Sequence, residues 1–274
     1  LGAWTAAALS AHAWLLCTQC FTVSWMAACL ATSVANTVCG GFGHNALHQL
    51  SPAAALLDWN GLSSFEWMFE HVLSHHPHVN SASDHDALSF EPFLRWLPDR
   101  PAAVWGDAQR SPLKHLIYLI AEIAVPIQGL FVHRLRWSAA RFGAPLWMVV
   151  APLLFLVRGA SLVCFHGWRD GFATLLLTLM IAGYYFAFLA HESHKGVSSD
   201  ANSDFVMRQL SNTRDIDAVG GGSLSLFLDR QRLHHLFPTV CHTQLPRLKC
   251  GLRRVAAFGT RSGDDYAASS CRAH

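Results

Sequence analysis

Charged side chains are scarce in this sequence. Lys, Arg, Asp and Glu make up 14% of the 274 residues, whereas a soluble domain carries about 25%. Hydrophobic residues make up 52%, so the composition indicates a membrane protein. The formal net charge is only +2 and no Lys/Arg-rich run is present, which argues against a nucleic-acid-binding protein.

A disulfide framework is also lacking. The eight cysteines are unevenly spaced in a long, apolar chain, unlike those of small secreted proteins. Cys17 and Cys20 form a lone CxxC, a weak zinc or redox signal that we interpret as two small residues at a helix end. The sequence starts at Leu1 rather than Met, which predicts a fragment or a processed product. Its apolar start lacks a basic segment, so we expect no signal peptide.

Four stretches are apolar enough to be membrane helices, which need about 20 residues each. Short connections join the first to the second and the third to the fourth, so each pair predicts a helical hairpin. Arg158 in the third stretch is costly in hydrocarbon and must snorkel, pair or face the bundle. The sequence therefore predicts an all-α, multi-pass membrane protein with about four transmembrane helices in two hairpins. The four stretches are residues 3–17, 21–39, 146–165 and 172–190.

Residues 113–131 have the pattern of an amphipathic helix, which predicts a helix lying on the membrane rather than crossing it. Both polar regions then lie on one side, and their basic residues favour the cytoplasmic side. We predict a single domain over residues 1–274 with a cytoplasmic helical cap. Its parts are the first hairpin (1–43, expected to be truncated), two histidine clusters with the interfacial helix (44–145), the second hairpin (146–190), and the remaining clusters with the tail (191–274).

Histidine is abundant, with 17 residues against 18 acidic ones, and neutral imidazoles are metal ligands. His44 and His48 are four residues apart, as are His71 and His75, which puts each pair on one helix face. His76 points about 100° away from His75 on a regular helix, so we expect it to reach a second metal or another edge of the site. The other clusters are His191 with His194, and Gln231 with His234 and His235.

Every cluster falls in a polar region just beyond an apolar hairpin. Imidazole-rich sites suit iron, zinc, copper or nickel, and the clusters contain no cysteine, which disfavours a structural zinc site. Eight convergent histidines exceed what one metal can use, so we predict two metal ions. His242 is undecided, and we expect no ligand among His12, His78, His85, His115, His133, His166 and His274.

With these clusters the chain resembles the membrane fatty acid desaturases over about residues 43–248. The motifs are HxxxH at residues 44–48, HxxxHH at 71–76 and QxxHH at 231–235. The second continues through Asn80, Asp84 and Asp86, and the third through LFPxxxH to His242. Residues 208–214 are also similar to the segment that precedes the third motif in the family.

The glutamine of the third motif is typical of the front-end branch, whose members insert a double bond between an existing one and the carboxyl end. The resemblance implies oxygen-dependent desaturation of a lipid acyl chain, carried as acyl-CoA, phospholipid or sphingolipid. It implies a di-iron centre, O2 as co-substrate, and electrons from a separate cytochrome b5 or ferredoxin, or from a domain missing in this fragment, since the sequence contains no fused cytochrome b5 motif. The expected location is the endoplasmic reticulum in a eukaryote or the inner membrane in a bacterium.

The resemblance also implies the ligands. The family takes one ligand from just after the last span, where His191 fits best and His194 is the alternative. Gln231 is expected to be a weak ligand or to orient a neighbouring one. Arg232 departs from the family, which usually has an apolar residue there. The implied ligands are His44, His48, His71, His75, His76, His191, His234 and His235.

Other functions stay open on the sequence. Sphingolipid long-chain-base desaturases and lipid hydroxylases share the metal site, and sequence offers no way to separate them. An inactive relative kept for binding is a further alternative. A metal transporter would place its ligands near the middle of the membrane, whereas these histidines lie beyond the ends of the apolar stretches.

Overall fold

The computed structural model describes residues 2–89, 112, 114–127, 143, 145–194, 204–216 and 228–259. Within these ranges every regular element is helical, as the sequence predicts. Two 3-10 turns (Pro52–Ala54 and His242–Gln244) and a π-helix (Met68–His75) interrupt the α-helices. The α-helices are α1 Gly2–Cys17, α2 Val23–Leu47, α3 Ala55–Trp59, α4 Ser64–Trp67, α5 His76–His78, α6 His85–Ser89, α7 Lys114–Ile127, α8 Leu146–Val150, α9 Leu153–His166, α10 Trp168–His194, α11 Phe205–Asn212, α12 Gln231–Leu236 and α13 Leu245–Gly259.

Three helical segments of the described chain are long and apolar enough to cross a membrane: Val23–Leu47, Leu146–His166 and Trp168–His194. They correspond to three of the four predicted spans, with a break between α8 and α9 where Pro152 cannot donate a backbone hydrogen bond. The first predicted span is α1, which has 16 residues and packs along α2. The four-span arrangement is therefore not confirmed.

The two longest helices run parallel, so their carboxyl ends meet. Ser33 of α2 donates a hydrogen bond to the Thr178 carbonyl of α10 at 3.2 Å, and Trp25 Nε1 donates to Thr174 Oγ1 at 3.1 Å. The histidines of both helices follow these contacts by several turns. Consequently α2 and α10 carry their histidines to the same end of the bundle.

Two close helix contacts hold this arrangement. A Cβ at Gly171 would lie 2.6 Å from the Leu162 carbonyl oxygen, so α9 and α10 approach more closely than any side chain allows. A Cβ at Gly43 would lie 2.8 Å from the backbone nitrogen of Leu57, which brings α3 against α2 one residue before His44. Substitution at either glycine would push the paired elements apart.

Arg158 faces the interior of the bundle. This is one of the positions in which a charged side chain avoids the free-energy cost of contact with hydrocarbon. Its side chain is almost completely buried. It donates to the Trp59 carbonyl at 3.2 Å and to Thr178 Oγ1 at 2.9 Å. The buried guanidinium therefore ties α9 to both α3 and α10.

The short helices form a cap over the histidine-bearing end of the bundle. Its apolar core joins the end of α2 to α3, α4 and α8 through Leu47, Leu57, Phe65 and Met148. Helix α7 packs against α10 and buries Tyr118. It corresponds to the predicted interfacial helix, of which Leu113 and residues 128–131 lie outside the described chain.

Candidate metal centre

Five imidazoles converge in a first group, drawn from the end of α2, the π-helix, α5 and α12. The Nε2 atoms of His44 and His71 are 2.7 Å apart, those of His48 and His44 are 3.3 Å apart, and those of His76 and His71 are 3.2 Å apart. Nitrogens that share a metal at about 2.0–2.1 Å have this kind of separation. The group consists of His44, His48, His71, His76 and His234, all buried.

A second group joins three buried histidines from the π-helix, α10 and α12. The ring centroid of His75 lies 4.6 Å from that of His194 and 4.9 Å from that of His235. The two groups adjoin, because His76 of the first stacks on His235 of the second at 4.4 Å. Eight imidazoles thus form two neighbouring clusters, a donor set that suits two metal ions of the imidazole-binding class.

The second motif distributes its histidines differently from the regular helix assumed in sequence analysis. His71 lies in one group with His76, whereas His75 lies with His194 and His235, and a third set of His71, His75 and Asp86 connects the two groups. The cause is the π-helix, in which the His76 amide donates to the His71 carbonyl five residues earlier. This wider turn brings residues five apart onto one face and aims His75 elsewhere.

The two histidines at the end of α10 have different surroundings. His194 joins the second group, while the Nδ1 of His191 lies 2.6 Å from the Tyr118 hydroxyl of α7. Both imidazoles are buried. Sequence reasoning preferred His191 because it follows the apolar stretch directly, but α10 continues as a helix through His194.

Polar groups behind the imidazoles fix their orientation. Nδ1 of His71 lies 2.8 Å from Asp86, and Nδ1 of His75 lies 2.8 Å from Asp84. A carboxylate behind a ligating imidazole sets its tautomer and raises its basicity. Both contacts engage Nδ1, so Nε2 is the atom of each imidazole that would bind a metal.

Two further groups behind the imidazoles come from the second half of the chain. Gln209 of α11 accepts from Nδ1 of His235 at 2.9 Å and donates to the His76 carbonyl at 2.7 Å. Nε2 of His242 lies 3.1 Å from Nδ1 of His234, so the undecided His242 supports the first group. The segments that contain these residues and both aspartates resemble the family in sequence, but no local pattern assigns the side chains a role.

Burial keeps most imidazoles of the centre neutral and therefore able to donate a lone pair to a cation. Burial lowers the pKa of His48 to about 4 and that of His242 to about 3, with nearby imidazoles adding to the effect. Burial opposes the charge on His75 as well, but the Asp84 carboxylate outweighs it and raises the pKa of His75. The pKa is held well below its usual value, mainly by burial, in His71, His76, His234 and His235.

The donor atoms fit a metal centre better than a purely structural histidine core. Nε2 of His234 and Nε2 of His235 are buried and have no hydrogen-bond partner among the described residues. A buried polar atom without a partner costs about 1–3 kcal/mol. Metal coordination at these nitrogens would remove that cost in both groups.

A cavity opens beside the centre, with imidazoles on one side and apolar side chains on the other. Trp67 stacks on His71 at 4.8 Å and contacts Phe186 at 5.3 Å, so the apolar wall touches the metal-binding groups directly. Gln231 lines the cavity and donates to the Leu228 carbonyl at 2.8 Å. The lining is His44, Trp67, His71, His75, Asp86, Phe186, Leu189, Ala190, His194, Leu228 and Gln231.

The remaining histidines of the described chain lie outside the candidate groups. His12 contacts Ser161 Oγ at 3.0 Å, His115 contacts Tyr184 at 2.9 Å, and His166 contacts the Leu15 carbonyl at 3.1 Å. His133 and His274 lie outside the described residues.

Comparison with known proteins agrees with these observations. The chain is 28% identical over 220 residues to an acyl-lipid (7-3)-desaturase of Rebecca salina, which covers 70% of this chain and 47% of the relative. It is 24% identical over 220 residues to an acyl-lipid (8-3)-desaturase of Mortierella alpina (69% of this chain, 47% of the relative). It is 27% identical over 211 residues to a cytochrome b5-related protein of Drosophila melanogaster (69% of this chain, 45% of the relative).

The chain thus spans about half the length of the curated relatives it matches. No solved structure matches it significantly. The family described as fatty acid desaturase matches residues 2–263, which is nearly the whole sequence. The chain therefore belongs to the fatty acid desaturase family.

Proposed function

We propose that this protein is a front-end acyl-lipid desaturase that uses a di-iron centre, O2 and external electrons. The main support for the proposal is that eight buried imidazoles lie in two adjoining groups, beside a cavity with an apolar wall. Such a site combines a redox-metal donor set with a binding surface for hydrocarbon. The likeness to acyl-lipid desaturases supports the lipid acyl chain as the substrate.

The proposed ligands divide between two irons. His44, His48, His71, His76 and His234 would hold one, and His75, His194 and His235 the other. We assign His194 rather than His191 because the His194 ring lies 4.6 Å from that of His75 and 4.9 Å from that of His235. Gln231 lines the cavity and would orient groups beside the irons.

When bound, the irons supply the oxygen-dependent redox chemistry that removes hydrogen from an unactivated methylene, a step that acid–base side chains cannot perform. The protein's own groups do the positioning. Asp84, Asp86 and Gln209 hold imidazoles in fixed orientations. Trp67 and Phe186 bind the acyl chain against the imidazoles and exclude water, and fixing one carbon pair there determines the position of the double bond.

The finer assignments rest on the family resemblance. The substrate would be an acyl chain on a phospholipid, acyl-CoA or sphingolipid, entering from the membrane side. The protein would be integral to the endoplasmic reticulum membrane of a eukaryote or the inner membrane of a bacterium. Its reductant would be a cytochrome b5 or a ferredoxin.

Expression in a host that lacks front-end desaturases tests the proposal. Cells supplied with unsaturated fatty acids should gain a product with a new double bond on the carboxyl side of the existing one, identified by gas chromatography and mass spectrometry. His234→Ala should abolish the product, and His78→Ala, at an exposed histidine outside both groups, should retain it. A hydroxylated product would instead indicate a hydroxylase, a desaturated sphingoid base a long-chain-base desaturase. Absence of any product would reject the proposal.

A further inference from the structure

Asn80 lies at the point where the second histidine motif meets the ends of two helices. The residue is almost completely buried, with 1% of its surface accessible, and its backbone has a φ of 54°. This left-handed conformation is unfavourable for most side chains, but asparagine adopts it more readily than other residues with a side chain. Asparagine therefore allows the chain to turn here and also supplies a side-chain amide, which glycine cannot.

The Asn80 side chain caps two helices at once. Its Nδ2 group donates to the His194 carbonyl and to the Asn212 carbonyl, both at 3.0 Å. His194 is the last residue of α10 and Asn212 is the last residue of α11, and the final carbonyls of a helix have no partner within that helix. One amide group thus joins the carboxyl ends of two helices to a residue that precedes them by 114 and 132 positions.

The contacts of Asn80 lead to two donors of the second histidine group. His194 is itself a member of that group, and Asn80 holds its carbonyl. The Asn80 backbone amide donates to the Asp84 carboxylate at 2.8 Å, and the same carboxylate oxygen lies 2.8 Å from Nδ1 of His75. Asn80 therefore binds one donor directly and reaches a second through a single carboxylate.

The third donor of the group is reached through α11, the short helix whose end Asn80 caps. One turn before that end, the Gln209 side chain accepts from Nδ1 of His235 at 2.9 Å. The amide of Arg214, just after α11, donates to the Ser193 carbonyl at 3.0 Å and fastens the same two helix ends together. Asn80 is thus connected to all three histidines of the second group.

We infer that Asn80 is the positioning residue of the second metal site, and that its side-chain amide fixes the spacing of the three imidazoles that would hold this metal. The inference rests on the di-iron centre of the proposed function. The second site depends on such a link because its donors come from three separate elements, with His75 in the π-helix, His194 in α10 and His235 in α12. In the first group, by contrast, α2 alone supplies both His44 and His48.

Titration of the metal-free full chain in detergent with Co²⁺ tests the inference, because Co²⁺ binds imidazole sites and its visible absorption reports its coordination. Asn80→Gly removes both side-chain hydrogen bonds but keeps the left-handed backbone and the amide that binds Asp84. Asn80→Ser keeps a donor for only one of the two carbonyls. Asn60→Gly is the matched control, since Asn60 is also buried and its Nδ2 donates to a backbone carbonyl, that of Asn36 at 2.7 Å.

The wild type should bind two Co²⁺ ions, and His194→Ala should identify the absorption of the second site by losing it. In Asn80→Gly the affinity of that site should fall about 10–100-fold, as is typical when a group that orients metal ligands is removed. The first site should keep its affinity. Asn80→Ser should show a smaller loss at the same site, whereas Asn60→Gly should lower the unfolding temperature and still bind both ions as the wild type does.

Three results would overturn the inference. Equal weakening of both sites in Asn80→Gly would mean that Asn80 only stabilises the cap, and unchanged affinities would mean that its amide positions no ligand. The same selective loss in Asn60→Gly would mean that any loss of stability empties the second site. If Asn80→Gly does not fold, Asn80→Ser gives the same comparison. A wild type that binds fewer than two ions would instead contradict the di-iron centre itself, and the role of Asn80 would fall with it.

Discussion

The hydroxyl of Tyr118 lies 2.6 Å from Nδ1 of His191, where α7 packs against the last turns of α10. The same hydroxyl donates to Glu192 at 3.1 Å. Both Tyr118 and His191 are fully buried. This contact fastens α7 to the helix that carries His194, and it gives His191 a structural partner outside the metal-binding groups.

We predict that Tyr118→Phe destabilises the protein without changing its metal content. The substitution leaves buried partners without the hydroxyl, which should cost about 1–3 kcal/mol, while His194 keeps its neighbours. Unfolding in detergent and metal analysis measure the two effects. Tyr184→Phe is the matched control, because its hydroxyl contacts His115, away from the candidate ligands. Loss of iron in Tyr118→Phe alone would show that the contact positions a ligand.

Alanine at the two α10 histidines should give different metal contents. His194→Ala removes one of three donors in the second group, so iron should fall from about two to about one per chain, since a site with two ligands binds weakly. His191→Ala should retain about two irons and lose only stability. Metal analysis of both purified variants decides the assignment, and the reverse pattern would restore His191 as the ligand.

Much of this centre follows from the sequence because its signals are local. The apolar stretches predict the long helices, and the placement of every histidine cluster just beyond an apolar hairpin predicts that the clusters meet. The cost of a charge in hydrocarbon predicts that Arg158 must be accommodated, and the structure buries it against Trp59 and Thr178. These inferences need only periodicity and polarity.

Other features depend on contacts that no local pattern encodes. The grouping of His71 with His76 requires a π-helix. Its backbone hydrogen bonds join residues five apart, one more than in an ordinary α-helix. The choice between His191 and His194 depends on which one faces the cap and which faces α7. Gln209 binds His235 from 26 positions away, so only the folded chain reveals its role.

Asp84→Asn should weaken metal binding more than its conservative chemistry suggests. The Asp84 carboxylate contacts Nδ1 of His75 and accepts from the amides of Asn80 and Ala87. An amide in its place supplies no negative charge to the imidazole, and loss of such a partner typically costs 10–100-fold in metal affinity.

Competition with a chelator of known affinity measures the change in Asp84→Asn. Asp204→Asn is the control, because Asp204 is exposed and caps α11, a role that asparagine fills equally well. Equal affinity in the two variants would mean that the contact between Asp84 and His75 does not tune the metal.

The metal-free protein should lose stability as the pH falls below about 6.5. In the folded chain burial lowers the pKa of His48 to about 4 and that of His242 to about 3, whereas both have an ordinary pKa of about 6.5 in the unfolded chain. Between these values the unfolded state binds more protons than the folded state. The free energy of unfolding therefore decreases with falling pH, and the loss continues until the folded-state pKa is reached.

Thermal unfolding of the metal-free protein between pH 7.5 and pH 4.5 checks this expectation. His242→Gln removes one buried imidazole from the centre, so its unfolding temperature should depend less steeply on pH than that of the wild type. His78→Gln, at an exposed histidine, should leave the slope unchanged. A flat profile in the wild type would mean that the histidines take up protons in the folded state, and a centre that accepts protons so readily would be too open to water to keep the proposed neutral imidazoles.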